Sequence, residues 1–226
     1  MKKLFYTLLL TCMFSLMVGF SSCTQCSKAG NEVKADTVLV DSTVVDSTAA
    51  TGLVVENLIS MDRQQMYNQY AKDYRWFESC ILLKDFLDED CDGTVAGVSN
   101  IFQVVEESED GKTFDVHVVM FAHTPDTAAV EVVHSFWVED LPMENEAIKV
   151  TFKEAFEKVM AVNYPKPHSQ HVVLRKQLGL IDANPQYIFG NTESQLYVDA
   201  VTGAVTDKNP VFPEDVKLAK PLGEWP

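Results

Sequence analysis

Thr151 opens a segment that Pro165 and Pro167 close, and only one kind of element fits between them. Thr151 and Glu154 make a T-x-x-E capping box. Phe152, Ala155, Phe156, Val159 and Met160 fall on one stripe of a helix, and a proline ring cannot continue that helix past Tyr164. Downstream the period shortens. His171–Gln177, Gln186–Phe189 and Gln195–Ala200 read as strands, with Thr202-Gly203 turning into a short last one.

The first half of the folded region reads in a similar way. Met66, Tyr70, Tyr74 and Phe77 recur at helical intervals, and Ile81, Leu82, Leu83, Phe86 and Leu87 extend the pattern to about Leu87, as one bent helix or two in series. Gly97–Val105 and Thr113–Phe121 read as strands either side of an acidic turn with Asp110-Gly111 at its pivot. The segment His123–Thr127 then leads into a third strand, Ala129–Val138. The expectation is an α+β protein of two helix-plus-antiparallel-sheet units, residues 56–140 and 141–206. An extended tail, 207–226, holds four of the nine prolines.

What precedes the folded region is an address. Lys2 and Lys3 stand before an apolar run from Leu4 to Phe20, followed by Ser21, Ser22 and Cys23, the layout of a secretory signal peptide. The run is 17 residues long, short of the roughly 20 that cross a bilayer. Phe20-Ser21-Ser22-Cys23 resembles the lipobox of bacterial lipoproteins, with Phe20 in place of the usual leucine. The resemblance implies cleavage after residue 22 and lipidation of Cys23. Thr24 after that cysteine resembles the pattern of lipoproteins sorted to an outer membrane of a Gram-negative envelope, with the periplasmic or external face left open. Acyl chains, at about 0.8 kcal/mol per buried methylene, would hold the chain to the membrane.

Residues 23–55 read as a tether. Residues 24–56 carry no aromatic side chain, and Asp36, Asp41 and Asp46 each begin a repeat of Ser, Thr and small apolar residues. A flexible chain of this length spans at least about 30 Å. An extra strand over Val38–Val45 is the alternative.

Residues 151–206 resemble a PepSY-type domain, a small module of secreted and membrane-anchored proteins. The resemblance rests on Tyr187-Ile188-Phe189 followed by Val198-Asp199-Ala200-Val201-Thr202-Gly203-Ala204-Val205. Gly203 can take the positive φ that a tight turn needs, and Asp199 and Thr202 can bond the backbone around it. The resemblance implies a cystatin-like helix and sheet, binding of a protein or peptide, restraint of a peptidase in some relatives, and no catalytic residues.

Candidate chemistry is sparse. Asp88, Asp90 and Asp92, with Gly93 and Thr94, match the first half of an EF-hand calcium loop. The bidentate glutamate due at the twelfth position is instead Ser99. A weak calcium site on Asp88, Asp90, Asp92 and the Thr94 carbonyl is one expectation, and a solvated acidic turn is the other. Cys80 and Cys91 invite a disulfide in an oxidising compartment. A helix from Cys80 to Asp88 would carry the chain about 12 Å away, however, so free thiols are expected, with Cys80 buried and Cys91 more exposed. His117 and His134 would face each other if the hairpin at Thr124-Pro125 has an even loop; His168 and His171 are three apart. Neither pair shows a third ligand on its own element. Tyr67, Tyr70, Tyr74, Trp76 and Phe77 read as core first and as a groove second.

The balance of 33 acidic against 18 basic residues gives a formal charge of −15, and loss of Lys2 and Lys3 with the leader takes it to −17. Such a surface repels phosphate backbones, which excludes nucleic acid as a partner. The expected function is that of a non-catalytic, lipid-anchored envelope protein that binds a protein or peptide and restrains a peptidase in one version. A structural subunit of an envelope complex and a calcium-binding module are the alternatives.

Overall fold

A computed structural model describes residues 53–107, 111–143, 148–179, 183–191 and 193–211. The expected signal peptide, Cys23, nearly all of the expected tether and the tail beyond residue 211 lie outside them. The elements in chain order are α1 (Val55–Tyr70), β1 (Tyr74–Leu83), β2 (Val95–Glu107), β3 (Phe114–Thr124), β4 (Thr127–Val133), β5 (Asp140–Leu141), α2 (Phe152–Ala161), β6 (His171–Gln177), β7 (Gln186–Gly190), β8 (Gln195–Asp199) and β9 (Val205–Thr206).

The strands form one antiparallel sheet in the order β4-β3-β2-β1-β6-β7-β8-β9, with β5 beside β6. This overturns the expectation of two helix-plus-sheet units. The reason is β1. Its Glu78–Leu82 stretch pairs with Ile101–Gly97 of β2 on one edge and with Arg175–His171 of β6 on the other. The strand that closes the first group of strands also opens the second, and no boundary is left between them.

The same strand corrects the long helix. Met66, Tyr70 and Tyr74 do recur at helical spacing, but α1 stops at Tyr70 and the chain from Tyr74 is extended. Tyr74–Leu83 is rich in aromatic and apolar residues because a central strand is covered on both sides. An unbroken apolar run of that kind has no period with which to oppose a helical reading. The later elements lie where the spacing puts them. Thr151 and Glu154 form the reciprocal capping box at the start of α2, and β6, β7, β8 and β9 follow in order.

Both helices cover the same face of the sheet. Asn100, Ser79, Leu174 and Tyr187 are register partners on β2, β1, β6 and β7. Asn100 bonds α1 through Asp62, and Tyr187 lies against Phe152 of α2. The core fills the space between: Val55, Ile59 and Met66 of α1 and Ala155, Phe156 and Val159 of α2 pack on Ile81, Phe102, Phe121, Leu174, Phe189 and Val198. Among the described residues, no helix is long and apolar enough to cross a membrane.

Candidate functional site

The apolar stripe of α1 contains one charge. Val55, Ile59, Asp62 and Met66 are its buried residues, and Asp62 has no exposed surface. Polar groups wait beneath it on three adjacent strands. His123 Nε2 of β3 lies 3.0 and 2.9 Å from the two Asp62 oxygens. Asn100 Nδ2 of β2 donates to Asp62 Oδ2 at 2.6 Å, and Ser79 Oγ of β1 donates to Asn100 Oδ1 at 2.5 Å. A carboxylate only accepts, so His123 is the donor. The order of these bonds matters chemically. The serine spends its proton on an amide and never meets the imidazole, so the group lacks the nucleophile–base contact of a hydrolase triad.

A second histidine sits six residues earlier on β3, and therefore on the same face. His117 is 5% exposed. Its Nε2 lies 3.3 Å from the Tyr70 hydroxyl at the last residue of α1. Its Nδ1 is buried without a hydrogen-bond partner, a condition that costs about 1–3 kcal/mol. That nitrogen lies 4.0 Å from Asp115 Oδ2. His134, just beyond β4, brings Nδ1 to 3.5 Å from Asp115 Oδ1, and its ring centroid is 5.8 Å from that of His117. One donor atom from each of Asp115, His117 and His134 falls within 4.8 Å of the others. The β3–β4 hairpin turns on Pro125-Asp126 between paired Thr124 and Thr127. This is the even loop that aligns the two histidines. The third ligand that the sequence reading lacked is Asp115, two residues before His117 on the same strand.

A third polar group lies on the opposite face, where β1, β5 and β6 meet. Glu78 and Asp140 are buried, and Arg175 Nη1 lies 3.8 Å from Glu78 Oε2 and 3.6 Å from Asp140 Oδ1. Those separations exceed a hydrogen bond, and Asp140 Oδ1 and Arg175 Nε have no hydrogen-bond partner. Burial first, and the Glu78 carboxylate second, raise Asp140 to about 8, with Arg175 pulling the other way. Cys80 donates to Glu78 Oε1 at 2.9 Å. Burial, reinforced by Glu78, pushes its thiol well up, so Cys80 is not poised as a thiolate nucleophile.

The acidic loop closes on itself. Asp88 Oδ1 accepts from the Asp90 amide at 3.0 Å, Asp92 Oδ1 accepts from the Thr94 amide at 2.8 Å, and the Thr94 carbonyl accepts from the Lys84 amide at 2.8 Å. Bonding to Thr94 holds Asp92 below the usual carboxylate range. Asp88, Asp90 and Asp92 do not bring three ligand atoms together. Gly93 has a positive φ of 76°, and a Cβ there would lie 2.8 Å from the Phe156 ring, so packing of this loop on α2 already accounts for the glycine. Cys80 and Cys91 are both free, and Cys91, expected to be the more exposed of the two, is buried while Cys80 is half-buried. His168 stacks on Phe86, with ring centroids 4.1 Å apart. Trp76 and Phe77 are buried, and Tyr67 lines a shallow recess with Ser60, Arg63, Gln64 and Tyr74. The Asp199 carboxylate accepts from the amides of Val201 and Thr202, and Gly203 takes a φ of 73°, so these residues build the turn.

One face of the sheet carries neither helix. Ala122, Ser99, Cys80, Val173, Ile188 and Tyr197 are register partners across it, from β3 to β8. Towards one end of the same face Val105 and Phe114 are 41% and 66% exposed. Phe136 and Val138, on the segment after β4, are 67% and 70% exposed, and Trp137 between them fixes that segment by donating its amide to Gln103. No family model, curated protein or solved structure matches the chain.

Proposed function

We propose that the chain is a lipid-anchored, non-catalytic envelope protein that binds a protein or peptide on the helix-free face of its sheet. The observation that carries this reading is the pair of exposed apolar residues Val105 and Phe114 at one end of the face that no helix of the described residues covers; Ser99, Ile188 and Tyr197 in the row across its middle are themselves buried. Exposed apolar surface marks interaction sites, and aromatic residues are enriched among the anchors that supply their energy. The acidic excess favours a basic partner and speeds its approach. Neither buried nucleophile is activated, since Ser79 donates to an amide oxygen and the Cys80 thiol, although bonded to the Glu78 carboxylate, is pushed well above its ordinary range. The resemblance of residues 151–206 to a PepSY-type domain supports the same role, with a restrained peptidase as the first partner to seek.

The test is capture from solubilised envelope with the lipidated chain as bait, followed by peptidase assays on what is recovered. Phe114→Asp should lose the captured protein while keeping its thermal transition. A partner retained by Phe114→Asp would remove this face from consideration. Cys23→Ala should lose the acyl mass and release the chain from the membrane; a chain that stays membrane-bound without acyl mass ends the anchor reading.

A further inference from the structure

We propose that Asp115, His117 and His134 form a binding site for a divalent transition-metal ion, zinc being the reference case. Two imidazoles and one carboxylate are the donor set that zinc, copper and nickel prefer, while calcium and magnesium favour all-oxygen cages. The inference stands on more than a cluster of polar side chains. His117 is 95% buried by its 5% exposure, and its Nδ1 has no partner and lies 4.0 Å from the Asp115 carboxylate. Its other ring nitrogen is held by the Tyr70 hydroxyl. That is how metal-ligating histidines are usually oriented, one nitrogen fixed by an outer partner and the other presented to the ion.

Distances and register agree. Donors about 2.0–2.2 Å from a tetrahedral zinc stand about 3.4 Å from one another. Here Asp115 Oδ1 lies 3.5 Å from His134 Nδ1 and Asp115 Oδ2 lies 4.0 Å from His117 Nδ1, and one donor atom from each residue falls within 4.8 Å of the others. Asp115 and His134 have side chains 60% and 67% exposed, so both can rotate to close the remaining gap. Glu106 of β2 is the register partner of Asp115. Two carboxylates directly opposite each other repel, and a cation between strands relieves that repulsion. The site would join β3 to the start of the segment bearing Phe136 and Val138. A bound ion would therefore brace the exposed end of the sheet, leaving a fourth position for water.

The experiment is calorimetric titration of the tag-free full chain with zinc chloride at fixed neutral pH, with cobalt(II) absorption as a second readout. One equivalent should bind with a Kd on the order of micromolar or tighter, and cobalt should give the intense visible bands of a four-coordinate site. His134→Ala and Asp115→Asn, both at exposed positions, should each weaken zinc by more than about tenfold, and Tyr70→Phe by about tenfold. His168→Ala should bind as the parent does. No saturable binding, binding unaltered in His134→Ala and Asp115→Asn, or equal competition by calcium would overturn the proposal. A parent chain that binds zinc but captures no partner would overturn the proposed function and leave the metal site standing.

Discussion

His117 and His123 share a strand, a face and almost the same burial, yet their surroundings differ completely. His123 is 6% exposed and bonds both oxygens of a carboxylate that also accepts from Asn100. His117 is 5% exposed and has one partner, the Tyr70 hydroxyl, and one nitrogen with none. The helix above makes the difference. Midway along α1, Asp62 comes down over His123, and at the end of α1 only a tyrosine remains to cover His117. A buried imidazole is therefore closed where the helix supplies a carboxylate, and left open towards Asp115 and His134 where the helix stops.

The comparison breaks most sharply at Asp62. Asp62→Ala removes the acceptor of the His123 and Asn100 hydrogen bonds and leaves both donors buried. Loss of one member of such a group costs about 3–5 kcal/mol, read as a fall in urea midpoint at unchanged slope. A loss below about 1 kcal/mol would mean that the network contributes little and that His123 is no more closed than His117.

Asp140 tests the same idea with a group that is paired only in part. Its folded value of about 8 stands above the ordinary carboxylate range. Between about pH 4 and pH 8 the folded chain keeps a proton that the unfolded chain has released. Stability from this group is thus fully present in acid, falls as pH rises through that window, and levels off above it. The parent should lose ~2–4 kcal/mol from this source between pH 5 and pH 8. Asp140→Asn, which cannot ionise, should show a flatter profile in urea melts over the same range. Parallel profiles would show that Arg175 satisfies Asp140 as fully as Asp62 satisfies His123.

What the amino-acid sequence discloses follows from how local each signal is. The capping box at Thr151, the stop at Pro165 and the Asp199–Gly203 turn are made by neighbours in the chain, and the structure has each of them. The position of β1 is not local. Whether Tyr74–Leu83 continues a helix or pairs with two strands depends on residues 97–101 and 171–175, far away in sequence. The polar groups divide in the same way. The His117–His134 alignment was readable from an even hairpin loop, and Asp115-x-His117 was a legible same-face spacing. Asp62, by contrast, is a charge within an apolar stripe whose partners come from three separate strands, and Glu78, Asp140 and Arg175 converge only once the sheet is assembled.

The smallest expected effect gives the cleanest contrast. Replacing His123 by leucine leaves the Asp62 carboxylate buried with one partner fewer, and should cost several kcal/mol, about as much as breaking any buried charged pair. Replacing His117 by leucine removes a side chain whose Nδ1 is already unpaired, so desolvation lost on folding is recovered and only the Tyr70 contact is given up. Exchange of an unsatisfied polar group for an apolar one of similar size is close to neutral. His117→Leu should therefore stay within about 1 kcal/mol of the parent in metal-free buffer, measured by urea unfolding with a chelator present. In zinc the two proteins should diverge, because the parent gains stability from an ion that binds only the folded state and the variant does not. A His117→Leu chain as destabilised as His123→Leu in chelator would show that both histidines serve the core alike.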